Sequence, residues 1–139
     1  MAALLVEESI ARAFGGHVFC HIDHLGPASY DLLGRRYVFL HHPDEFQYAL
    51  DIECHDGAAP MQVTRYLTKL RIEEPPLKAW TEIEVIAKLT NTPAHLLLRR
   101  ITTAGGISAL RTEGIAIRRV DLPGLWLAVG RRPLKSGAI

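Results

Sequence analysis

The stretch GPASYDLLGRRYVFL, residues 26–40, decides how the rest of the chain is read. Gly26-Pro27 offers a helix start, because proline at the first helical position gives up no hydrogen bond it would otherwise make. Tyr30, Leu33, Tyr37 and Leu40 then recur at helical spacing, which predicts one long helix from Pro27. Gly34 falls in its middle, where glycine costs about 1 kcal/mol relative to alanine, and is read as a close approach of another backbone. His41-His42-Pro43 ends the helix, since proline disfavours helical geometry in the residue before it. Asp44–Ile52 is read as a second helical piece, with Asp44 and Glu45 where negative charge complements the helix dipole.

Residues 1–14 read as an N-terminal arm or short helix, and GGHVFCHI (15–22) as a short strand after a glycine break. Beyond the turn cluster CHDGAAP the pattern reads as strand after strand. MQVTRYLTKLRIEE (61–74) is rich in β-formers; AWTEIEVIAKLT (79–90) alternates Ile83, Val85, Ala87 and Leu89 against Glu82, Glu84 and Lys88. HLLLRRITTA (95–104) and ISALRTEGIAIRRV (107–120) are read as a hairpin about Gly105-Gly106, and 122–139 as a tail. A helix followed by antiparallel strands predicts one α+β domain over 1–139.

A chain of 139 residues with 48% hydrophobic residues can bury a core without metals or disulfides. Sixteen basic against fifteen acidic residues leave a net charge of +1, so bulk charge selects neither nucleic acid nor an anionic membrane as partner. Two cysteines form no disulfide framework, and MAALLVEESIARAF carries Glu7 and Glu8 where a secretory signal needs an apolar run, so a cytoplasmic location is expected. No apolar run reaches the roughly 20 residues of a membrane span. A long sheet covered by one helix leaves a face and an edge open, which predicts a homodimer or homotetramer.

The element order, together with VTRYLTKLRIEEPPLKAWTEIEVIAKLT and HLLLRRITTAGGISALRTEGIAIRRVD, resembles the hotdog-fold acyl thioesterase family over roughly residues 17–121. That resemblance implies a long antiparallel sheet wrapped around one central helix. It also implies hydrolysis of an acyl-CoA or acyl-carrier-protein thioester, with no cofactor beyond the coenzyme A or phosphopantetheine of the substrate. The family's Asp-x3-His-x-Asn-x3-Tyr motif falls on Cys20, His24, Gly26 and Tyr30. His24 and Tyr30 match; Cys20 stands where aspartate is expected and Gly26 where asparagine is. The candidate catalytic set is therefore Asp23, His24, Tyr30 and Cys20, with Asp23-His24 as an acid–base pair and Cys20 as an alternative nucleophile. Gly26, Pro27, Ala28, Arg35, Thr64 and Arg65 are the substrate-binding candidates.

The amides that would open a helix at Gly26–Ser29 suit a developing oxyanion. Arg65, Arg99, Arg100, Arg111, Arg118 and Arg119 are candidates for the phosphates of coenzyme A or a carrier arm. A zinc site from His17, Cys20, His21 and His24 is disfavoured, because a strand sends Cys20 to the face opposite His17 and His21, and no metal is expected. Two alternatives stand beside hydrolysis. The missing aspartate also suits a dehydratase or polyketide-processing enzyme on the same fold, or a non-catalytic acyl-thioester-binding domain.

Overall fold

The computed structural model describes residues 9–20, 25–104 and 114–134. It is a mixed α+β structure of two antiparallel sheets and three helices. Strands β1 (Ala11–Ala13), β2 (Gly16–Cys20), β3 (Ala28–Tyr30), β4 (Arg36–Leu40) and β5 (Phe46–Cys54) precede helices α1 (Met61–Lys69), α2 (Pro76–Thr90) and α3 (Ala94–Ala104). Strands β6 (Ala116–Leu122) and β7 (Leu125–Pro133) follow. The first sheet has the order β1-β2-β4-β3 and the second β5-β7-β6. No described helix is long and apolar enough to cross a membrane.

Helix and strand are thus exchanged relative to the expectation from residues 26–40, and the single central helix wrapped by a long sheet is not what these residues form. The short strand expected over 15–22 is present as β2. The expected helix from Pro27 is the β3–β4 hairpin. Its loop is built by Asp31, whose carboxylate accepts from the amides of Leu33 at 2.9 Å and Arg35 at 3.0 Å, while Gly34 takes the left-handed φ of 79°. Asp31-Leu32-Leu33-Gly34 is a turn signal, with aspartate first and glycine fourth. Leu33 is 78% exposed and Tyr30 60%, so the helical spacing they complete marks no buried stripe. The second helical piece, Asp44–Ile52, is largely β5.

The expected strands over 61–74, 79–90 and 95–104 are the three helices. In α1 the buried residues are Val63, Tyr66 and Leu67, a helical i, i+3, i+4 set. In α2, Pro76 occupies the first turn, and Leu77, Ala79, Ile83, Val85, Ile86, Ala87 and Leu89 are all buried. That helix lies between the β5–β7–β6 sheet and the other two helices, so its apolar residues are spread around the axis and helical periodicity is lost. Gly105-Gly106 lies outside the described residues. The observed hairpin joins β6 to β7 at Pro123-Gly124, and β7 occupies most of the expected tail.

Three layers result. The β5–β7–β6 sheet is central, with Tyr48, Leu50, Ile52, Leu127 and Val129 packed towards the first sheet. Ala49, Ala128 and Ile117 face the helices. Gly130 lets α2 come close: a Cβ there would lie 2.3 Å from Val85 Cγ1 and 3.0 Å from Leu89 Cδ1. Both faces of the central sheet are covered within one chain, which removes the open-face argument for oligomerisation.

Candidate nucleic-acid interface

Among the described residues, the candidate thioester residues Cys20, Gly26, Pro27, Ala28, Tyr30 and Arg35 fall on the first sheet and its hairpin, and Thr64 and Arg65 on α1. Cys20 pairs with Tyr37 between β2 and β4, Tyr30 sits on the exposed edge strand β3, and Ala28 pairs with Val38 in the same hairpin. Asp23, His24 and His21 lie outside the described residues, as does Arg111. Gly26 and Pro27 lead into a strand, not a helix, and the Pro27 carbonyl accepts from the Phe39 amide at 2.9 Å. The oxyanion-stabilising helix start expected at Gly26–Ser29 is therefore corrected to sheet backbone. Arg35 is held by Asp31 at 2.6 Å. Thr64 and Arg65 lie on α1, well separated in sequence and element from that hairpin: Thr64 lines a small cleft with His55, Pro75, Pro76, Leu77 and Trp126. His17 accepts or donates a hydrogen bond with Ser9 Oγ at 3.1 Å, and among the described residues no three metal-ligating side chains come together.

The feature that the helices do assemble is a basic surface. Helices α2 and α3 are joined by Asn91, Thr92 and Pro93 only. Asn91 takes a left-handed φ of 50°, and the Thr92 amide donates back to the Ala87 carbonyl at 3.0 Å, closing α2 as helix C-termini commonly close. Pro93 then cannot continue α2 and begins the new direction of α3. Leu97 and Leu98 anchor α3 in the core, while His95, Leu96, Arg99 and Arg100 are exposed. On α1, Val63, Tyr66 and Leu67 face inwards and Gln62, Arg65 and Lys69 are exposed. The two helices meet in a groove of about 280 Å³ lined by Gln62, His95, Leu98 and Arg99.

Neither helix carries an acidic residue. Residues 57–72 and 85–112 contain seven of the chain's lysines and arginines and none of its fifteen aspartates and glutamates. The net charge of +1 is an average over a segregated distribution, and the segregation was the sequence signal for this face. Comparison of the chain with family models, curated proteins and solved structures finds no match. The face must therefore be judged on its own chemistry: cations on two adjoining helices, the second of them joined to α2 by a three-residue turn.

One group of acidic residues lies between α2 and β5. Asp51 of β5 is 5% exposed and faces Lys88, Glu84 and its own strand neighbour Glu53. Lys88 Nζ donates to the Leu50 carbonyl at 2.6 Å and lies 3.6 Å from Asp51 Oδ1, tying α2 to β5. Burial raises the Asp51 pKa to about 8, against the pull of Lys88 and with a further push from Glu53 and Glu84. Glu53 and Glu84 are also raised, by burial first.

The sign of the consequence follows. Below about pH 4 folded and unfolded chains both hold the Asp51 proton, and the folded state has its full stability. Between there and about pH 8 only the unfolded chain has released it, so stability falls by about 1.4 kcal/mol per pH unit for each such proton. The melting temperature is expected to drop from pH 5 to pH 8, and Asp51→Asn to flatten that drop. Thermal unfolding across this range checks it; an equally steep drop in Asp51→Asn contradicts the assignment.

Proposed function

We propose that the chain binds double-stranded DNA through the α1–α3 face, with α3 entering the major groove. The observation that carries this reading is the groove where Gln62 of α1 meets His95 and Arg99 of α3, on two helices that carry no acidic residue. A helix held by a short turn on a second helix, with its outer side polar and basic, is the arrangement that docks a recognition helix in the groove. Helix α3 has 11 residues, about 16 Å of helix, enough to lie along a groove about 12 Å wide. Arg65 and Lys69 on α1 suit flanking phosphates, because a cation on an exposed helix neutralises a phosphate without reading a base.

Titration of a fluorescent mixed-sequence duplex with the protein tests this. Four phosphate contacts, from Arg65, Lys69, Arg99 and Arg100, give a log–log salt slope of about −3.6 and about a hundredfold loss of affinity between 50 and 200 mM salt. Absence of duplex binding at 50 mM salt contradicts the reading. Thioester hydrolysis, the expectation drawn from the resemblance, loses the feature that supported it most, the helix start beside the substrate carbonyl. Acyl-CoA hydrolysis by the purified protein remains the direct assay for that alternative.

A further inference from the structure

We propose that the tip of the β3–β4 hairpin inserts into the surface of a phospholipid bilayer, with Leu32 and Leu33 as the inserted side chains. The tip belongs to the first sheet, across the central sheet from the helices, so it is a second surface, independent of the DNA reading. A tip that lies in the headgroup–acyl boundary needs no spanning helix. Leu32 is 70% exposed, Leu33 78% and Tyr30 60%, and nothing lies within 4 Å of where a Cβ on Gly34 would stand. Two adjacent leucines at a turn, with a tyrosine ring beside them, make one contiguous apolar tip where turns ordinarily carry polar residues.

The loop backbone needs little water. The Asp31 amide donates to the Arg35 carbonyl at 3.1 Å, the Gly34 amide to the Asp31 carbonyl at 3.0 Å, and the Leu33 and Arg35 amides to Asp31 Oδ1. Four of the five amides of residues 31–35 are thus satisfied inside the loop. Lipid supplies few partners for a bare amide, so a loop that satisfies its own enters at the least cost. The one acidic side chain of the loop is turned inward: Asp31 has 0% side-chain exposure, and its Oδ2 accepts from Arg35 Nε at 2.6 Å and from the Tyr37 hydroxyl at 2.9 Å. Behind the tip, Tyr30 is the register partner of Arg36, next to Arg35. An amphipathic ring and long basic side chains are the groups that stand at headgroup level, beside anionic lipid, and neither arginine has to give up a partner there. The three apolar side chains expose far less than the about 800 Å² that each partner of a stable protein interface buries, so a second copy of the chain does not suit the tip. A fluid bilayer needs no complementary groove.

Co-sedimentation of the full chain with vesicles of phosphatidylcholine and phosphatidylserine tests this. The parent chain is expected to sediment with them. Leu32→Ala and Leu33→Ala are each expected to weaken vesicle binding about tenfold, and together about a hundredfold, because each removes most of an aliphatic side chain from the lipid. Both positions are exposed, and melting temperatures matching the parent chain verify the fold of the variants. Leu33→Trp is expected to keep binding, with its added emission shifting to the blue on vesicles. The proposal is overturned if the parent chain stays in the supernatant, or if the double alanine variant sediments as well as the parent, which would place the attraction on another face. A parent dimer that the double alanine variant turns into a monomer also overturns it, since a second copy then covers the tip.

Discussion

Replacing Arg99 and Arg100 together by glutamate is expected to weaken duplex binding at least about a hundredfold at 100 mM salt. On the proposed reading two cations facing the duplex become two anions in the same place, so attraction is lost and repulsion added. Both side chains are exposed on α3 and its apolar anchors Leu97 and Leu98 are untouched, and a melting temperature matching the parent chain verifies the fold of the variant. Arg12→Glu, at an exposed arginine on β1 of the four-stranded sheet, reverses one charge away from the α1–α3 face, is compared with Arg99→Glu alone, and is expected to change affinity only a few-fold. Equal losses in the two variants would show that net charge, not the α1–α3 face, governs binding. Anisotropy titrations at matched salt separate these outcomes.

Arg119→Ala is expected to destabilise the fold by about 3 kcal/mol. Arg119 of β6 reaches across to α2, where its guanidinium donates to Glu82 Oε2 at 2.6 Å, and it also pairs with Glu74 just before that helix. Glu82 is 1% exposed. Water cannot replace the guanidinium there, and a buried carboxylate stripped of its cation is far costlier than the net value of the pair. Lys78–Asp121 joins the same two elements at 2.8 Å, but its aspartate side chain is more than half exposed, so Lys78→Ala is expected to cost less than about 1 kcal/mol. Glu82→Leu combined with Arg119→Met removes both charges and is expected to recover most of the loss. Urea unfolding of the single and double variants measures the difference. A cost for Arg119→Ala no larger than for Lys78→Ala would contradict the buried-pair account.

The two ion pairs also show which parts of the structure were legible in the sequence. Strand β2 follows from the β-branched and aromatic residues of GGHVFC, whereas the α+β class holds although the helix-then-strands order from which it is inferred is reversed in the structure. Residues 26–40 misled because Tyr30, Leu33, Tyr37 and Leu40 fit a helical period by coincidence; two of the four are more than half exposed. The stronger local signal was Asp31 with Gly34, whose side-chain caps and left-handed backbone make a hairpin turn. In α2 the alternation of Ile83, Val85, Ala87 and Leu89 with Glu82, Glu84 and Lys88 mimicked a strand. A helix covered on several sides can bury Glu82 beside Ile83 when a partner such as Arg119 arrives from a distant strand, and no local pattern shows that partner.

The basic residues of the proposed interface stand out in the sequence. The sequence marks Arg65, Arg99 and Arg100 as phosphate-binding candidates, but places them on strands and towards a coenzyme. What the sequence concealed was their position: helix packing brings Gln62 and Arg99 to one groove although 36 residues separate them in the chain. The absence of acids from 57–72 and 85–112 is the sequence pattern that marks the face, and the total charge of +1 hides it.

Amide hydrogen exchange of the full chain, with and without a mixed-sequence DNA duplex at 50 mM salt, tests the placement of the interface most directly. DNA contact along α1 and α3 predicts slower exchange in Met61–Lys69 and Ala94–Ala104, with β1, β2 and β4 unchanged. Slowing confined to the four-stranded sheet, or no change in either helix at saturating duplex, would contradict it.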